Sequence, residues 1–146
     1  MSKYRKLETE FTSRAMLREA LKAVGLPFEE AAVGCEIQLV GYTGDTRQET
    51  ATFAVRREHV GSSSNDIGWH WDPEARRFVE VVSEFDLGRR RSVEVLNQVR
   101  REYAVATTIA QARARGLTVK REDQSNGGIR LRVVGQVQAS GQIAGL

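Results

Sequence analysis

The sequence predicts an α+β domain: a mostly antiparallel sheet, in the order β-α-β-β-β-β-α-β-β, with two helices packed on one face. Three observations predict it. Two stretches carry apolar residues three and four apart and are closed by a glycine, at Gly25 and Gly116. Seven other stretches are short and alternate apolar with polar residues, or run apolar for a few positions. The links between them are too short for crossovers, so the strands are joined by hairpins. With 146 residues the chain is long enough to bury one core without disulfides or metal. A single domain is expected over residues 1–137, with 138–146 as a mobile tail.

Each element has its own signal. In RKLETEF, residues 5–11, Leu7, Thr9 and Phe11 fall on one side of a strand. A helix follows over 13–24, with Thr12 or Ser13 as cap, Leu17, Ala20, Leu21 and Val24 on its buried side, and Gly25 as stop. Cys35, Ile37 and Leu39 alternate along a second strand. GYTGDTR turns the chain, and TATFAVR returns it as a third. After the Gly/Ser-rich loop HVGSSSN, the stretch NDIGWHW and the run RFVEVVSEF form strands four and five, a hairpin over 66–82 around DPEAR. The long helix is expected over 92–115, capped by Ser92. Its buried stripe is Leu96, Val99, Tyr103, Ala106 and Ala110 with Ile109 beside it, while Arg100, Arg101 and Glu102 face water. LTVKRED, the turn SNGG and IRLRVVGQV close the fold as a last hairpin.

Composition excludes several classes. No apolar run is long enough to cross a bilayer, and the first residues lack the apolar stretch of a secretory signal, so no membrane insertion is expected. One cysteine makes no internal disulfide, which fits a reducing compartment: the cytoplasm or its plastid-stroma equivalent. The net charge of +3 permits an anionic partner without demanding one. The arginines come in pairs at 56–57, 76–77 and 100–101, and as a triplet at 89–91.

NDIGWHW, residues 65–71, holds both tryptophans and one of two histidines. Alternation places Ile67, Trp69 and Trp71 on the core face and Asp66, Gly68 and His70 on the other. His70 is therefore not clasped between indoles. No metal is expected, because His59, Asp66, Asp72 and Cys35 show no ligand spacing. No cofactor is expected either, since GYTGDTR lacks the lysine of a phosphate loop. Cys35, on the apolar side of its strand, reads as an inert core thiol.

Two features are not required by core packing. In GYTGDTR, Gly41 and Gly44 give turn freedom, while Tyr42, Thr46 and Arg47 offer a ring, a hydroxyl and a fork of donors. This is either a binding loop or a hairpin turn whose glycines and Asp45 serve only its geometry. In GRRR, Arg89, Arg90 and Arg91 stand where the helix macrodipole disfavours cations. The triplet either meets an anionic partner or is solvated and paired with Glu84 and Asp86. The partner-binding candidates are thus Tyr42, Gly44, Thr46, Arg47, Arg89, Arg90 and Arg91.

GYTGDTR, the DIGW of the fourth strand, SVEVLNQVRREYA on the long helix and the closing GGIRLRV resemble, in that order and over residues 3–134, the hypothetical chloroplast reading frame thirty-five family. This is a domain of unknown function from plastids and cyanobacteria, with relatives in other bacteria. The HVGSSSN loop and the arginine triplet look like additions to its pattern. The resemblance implies no activity and no catalytic residues. It does imply, through the neighbourhood of AAA-type ATPases, an accessory subunit of an ATP-driven assembly. Three functions follow as expectations. The foremost is a non-catalytic adaptor that binds a protein partner, such as an AAA-type ATPase. The second is an arginine-dependent nucleic-acid-binding protein. The third is a small enzyme using Asp66, His70 and Arg47 on one exposed face.

Overall fold

A computed structural model describes residues 2–136, so the expected tail at 138–146 lies outside the described residues. The chain divides into two compact units, Met1–Tyr103 and Ala104–Leu146. The α+β class holds, with antiparallel pairing throughout.

The first unit is built on a five-stranded sheet ordered β1-β7-β6-β5-β2, from β1 (Tyr4–Glu8), β2 (Glu29–Glu30), β5 (Phe53–Val55), β6 (Ile67–Asp72) and β7 (Arg77–Ser83). Register puts Phe53 opposite Trp69 and Trp69 opposite Glu80, so these side chains share a face. That face carries Phe53, Val55, Ile67, Trp69, Phe78 and Val82. Two helices cover it: α1 (Arg14–Val24) through Leu17, Ala20 and Leu21, and α3 (Arg90–Ala114) through Leu96, Val99 and Tyr103. Trp69 is fully buried, while Trp71 packs partly exposed, edge-on to Phe78 at 5.0 Å. The expected cap of α1 is present: Ser13 accepts from Met16 N–H, and Gly25 ends the helix at φ 86°.

The other face of the sheet is also covered. A separate hairpin of β3 (Ile37–Val40) and β4 (Thr46–Ala51) lies on it, burying Leu39 and Ala51 against Ala54, Val79, Val81 and Tyr4. Approach is closest at Gly68, where an added Cβ would stand 2.7 Å from Ala51 Cβ and 3.1 Å from Leu39 Cδ1. The segment expected as one strand from Thr50 to Arg56 is therefore two. It leaves one sheet and enters the other at Thr52, whose N–H donates to Trp69 O at 2.9 Å while its carbonyl accepts from Ala31 N.

Four expectations need correction. Cys35 is exposed, not a core thiol: Ala32–Cys35 forms a turn with Gly34 at φ 82°, so alternation starts only at Ile37. The run RFVEVVSEF is not strand throughout. It ends at Ser83, which caps a one-turn helix, α2 (Glu84–Leu87), by accepting from Asp86 N–H. Ser92 does not cap α3, which starts at Arg90. Ser92 is buried in its first turn and donates to Asp86 Oδ1 at 2.7 Å. The buried stripe of α3 includes Val95 and Val105 but not Ala110, which is exposed, and Glu102 is buried rather than facing water. Arg100 is exposed, as expected, and its guanidinium also holds the fully buried Glu80 of β7 at 2.5 Å.

The second unit, as far as it is described, holds the end of α3 and a hairpin of β8 (Leu117–Asp123) and β9 (Ile129–Gln136), which pair with each other as a two-stranded sheet. Gly116 follows the helix at φ 76°, and Gly127 turns the hairpin at φ 87°. One face sets Val119 opposite Val133. On the other, Arg132 reaches Glu122 at 2.6 Å.

Candidate functional site: a cleft joining Tyr42 and Arg89

The two sequence features that core packing did not require meet at one cleft. It has a volume of about 620 Å³ and is lined by Ser2, Tyr42, Ser63, Asn65, Phe85 and Arg89. Tyr42 sits at the tip of the β3–β4 turn. Gly41 N–H donates to Asp45 O at 2.8 Å, Gly44 N–H donates to Gly41 O at 2.9 Å, and Gly44 takes φ 84°, a value that favours glycine. Asp45 folds back over Gly41, where any Cβ would stand 2.4 Å from Oδ1. The Thr43 hydroxyl, at 2.5 Å from Asp45 Oδ1, is the main reason that the Asp45 carboxyl is held below its usual range. Tyr42 is left 48% exposed.

The facing wall comes from α2. Phe85 is 40% exposed because the single turn capped by Ser83 directs it away from the core. The Arg89 guanidinium lies over its ring, 5.0 Å from the centroid. Beneath the cleft runs a polar network centred on Asp86, which is fully buried. Its Oδ2 accepts from Ser83 Oγ at 2.6 Å, from Asn65 N–H at 3.0 Å and from Asn65 Nδ2 at 3.1 Å, and its Oδ1 accepts from Ser92 Oγ. Burial pushes the Asp86 carboxyl up, but the hydrogen bonds from Ser83, Ser92 and Asn65 outweigh it and leave the group below its usual range. Asn65 Oδ1 in turn accepts from Tyr42 N–H at 3.0 Å. One buried carboxylate thus fixes both walls of the cleft. It also stands beside the first turn of α3, where an anion offsets the macrodipole that the arginines oppose.

The remaining candidates do not line this cleft. Thr46 belongs to the hairpin ladder, opposite Val40. Arg47 is pinned: it lies 5.2 Å over the Tyr4 ring, donates to Ser2 O at 2.5 Å and pairs with Asp45 at 3.3 Å. Arg90 pairs along its own helix with Glu94, and Arg91 is exposed. The upstream acids are not their partners, since Glu84 pairs with Arg5 at 3.1 Å and Asp86 is enclosed by its network.

Asp66, His70 and Arg47 are not assembled as a catalytic group. Asp66 is buried and accepts from Val40 N–H at 2.8 Å, Arg57 N–H at 2.8 Å and Arg56 NH1 at 2.7 Å. Its role is to tie β3 and the segment after β5 to the start of β6. Its carbonyl accepts from the Tyr4 hydroxyl, which burial, helped by the Asp66 and Asp86 charges, raises above the usual phenol range. His70 points to the face opposite Trp69, as alternation requires. Its Nδ1 lies 2.8 Å from Glu36 Oε1, outside good hydrogen-bond geometry. His70 lines a second cleft, of about 600 Å³, with the exposed Cys35, Glu36, Trp71 and Phe78. Among the described residues no group of three or more His, Cys, Asp or Glu is arranged to hold a metal, and no helix is long and apolar enough to cross a membrane.

The arginine pairs do not form a row of free cations. Arg56 bridges Glu29 at 2.6 Å and Asp66 at 2.7 Å, Arg100 serves Glu80, and Arg77 reaches Thr9 O at 3.4 Å and Glu10 at 3.9 Å.

Compared with known families, residues 20–134 match the model described as protein of unknown function (DUF1257). The chain belongs to that family. No curated protein and no solved structure matches it. The DUF1257 match spans the Tyr42 turn, the Asp66 anchor, Phe85, Asp86 and the start of α3, whereas Ser2 lies before it. Sequence reading missed Phe85, Asn65 and Asp86. Ser83 with Asp86 three positions on is a capping pattern that would have flagged the α2 turn. Nothing in the sequence shows that this turn faces Tyr42.

Proposed function

We propose that this member of DUF1257 is a non-catalytic adaptor that docks a protein partner in the cleft between Tyr42 and Phe85. The observation that carries the reading is the convergence of Tyr42 and Arg89 on one cleft whose walls are both fixed by Asn65 and Asp86. Exposed aromatics and an arginine on a rigid support suit protein recognition, because little side-chain or loop ordering is needed on binding. The buried, fully satisfied Asp66 and the pinned Arg47 favour an adaptor over an enzyme. The commitment of Arg56, Arg77 and Arg100 to internal partners favours it over a nucleic-acid-binding protein, which needs cations in register with phosphates. An AAA-type ATPase is the first partner to seek, on the strength of the family resemblance, and the cytoplasm or plastid stroma is the place to seek it. The test is affinity capture of the tagged protein from its native cells, with and without nuclease, beside the Arg89→Gln variant. A protein captured in both nuclease conditions and lost with Arg89→Gln supports the adaptor. Recovery of nucleic acid alone, released by salt, overturns it.

A further inference from the structure

We infer that the cleft takes an acidic peptide segment of its partner, with a carboxylate on Arg89 and a neighbouring apolar side chain between Tyr42 and Phe85. This rests on the adaptor reading and names the chemistry of what is docked. Charge around the cleft is unbalanced in one direction. Each nearby acid is already matched: Glu84 by Arg5, Asp45 by Thr43 and Arg47, Glu94 by Arg90, and Asp86 by its enclosed network. Arg89 is different. It rests on the Phe85 ring and has no carboxylate partner among the described residues. Stacking holds the guanidinium plane at the cleft wall while leaving its edge donors to accept a planar anion. A carboxylate supplies that anion, and the exposed rings of Phe85 and Tyr42 supply the apolar contact beside it. One guanidinium between two apolar walls suits a carboxylate beside a hydrophobic residue. A polyanionic backbone would call for several cations in a row.

The probe is a fluorescein-labelled acidic peptide, GEDLFDEG, titrated by anisotropy against the full chain. Controls are the neutral GQNLFNQG, the basic GKKLFKKG and a labelled oligothymidylate. The acidic peptide is expected to bind, the basic one not to bind, and the neutral one to bind about tenfold more weakly. Arg89→Gln and Phe85→Ala are each expected to weaken the acidic peptide by about tenfold, while Arg91→Gln changes it less than about threefold. Unchanged circular dichroism of the variants separates lost binding from lost folding. Equal binding of acidic and neutral peptides overturns the role given to Arg89. Tighter binding of the oligothymidylate, with displacement of the peptide, assigns the cleft to nucleic acid and overturns both readings. If no peptide binds but native capture still yields a protein lost with Arg89→Gln, the acidic-peptide inference fails and the adaptor stands. If neither occurs, both fail.

Discussion

Replacing Asp86 with alanine removes the one group to which both walls of the cleft are tied. The donors that lose their acceptor are the hydroxyls of Ser83 and Ser92, the Asn65 backbone N–H and one Asn65 amide hydrogen. The hydroxyls rotate toward other acceptors, but the backbone N–H is fixed, and an unsatisfied buried donor costs about 1–3 kcal/mol. Release of the carboxylate from a fully buried site returns part of this loss. The net expectation is a destabilisation of about 3–5 kcal/mol for Asp86→Ala and about 2 kcal/mol for Asp86→Asn, which keeps one acceptor. Urea unfolding followed by tryptophan fluorescence reads this directly, because Trp69 is fully buried in the core. The Asp86 carboxyl lies below its ordinary value of 3.8 in the folded protein. Its contribution is therefore complete well above that value and is lost as pH falls through the folded one. The stability difference between wild type and Asp86→Asn should accordingly be constant near neutrality and shrink below about pH 5. A loss under about 1 kcal/mol for Asp86→Ala, or a difference that grows on acidification, would refute the reasoning.

Three further outcomes follow from the structure. Arg100→Ala leaves the fully buried Glu80 without its ion-pair partner, and should cost about 3–5 kcal/mol in the same urea assay, whereas an exposed pair would cost under about 1. Gly68→Ala drives a methyl against Ala51 and Leu39 and should cost about 1–3 kcal/mol; calorimetry showing an unchanged melting temperature would mean that the β3–β4 hairpin does not press on β6. Cys35 should react fully with a disulfide reagent in the native state within minutes, and protection until denaturant is added would restore the core-thiol reading.

How far the sequence was legible depends on the range of the interaction. Local signals were readable: Ser13 and Gly25 bound the first helix, and alternation placed Trp69 in the core with His70 opposite. Alternation failed at Cys35 because one left-handed glycine resets the phase, and at Thr52 because a strand that changes sheets looks continuous. Solvent-facing periodicity failed at Glu102, which is buried, whereas Arg100 is exposed as expected and still reaches Glu80 on another strand. The candidate site was half legible. Tyr42 and Arg89 stood out as residues packing did not need, but Arg47, which looked equivalent, is consumed by Tyr4, Asp45 and Ser2. The contacts with Tyr4 and Ser2 join residues more than 40 positions apart, and no local pattern encodes them.

The most direct test of the docking cleft is photo-crosslinking in native cells, with a benzophenone amino acid in place of Tyr42 and, as a control, in place of Val33, which is 89% exposed and lines no part of the cleft. The account predicts a discrete, nuclease-resistant protein adduct at position 42, absent at 33 and lost when Arg89→Gln is added. Equal labelling at both positions, or an adduct at 42 that nuclease removes, would contradict it.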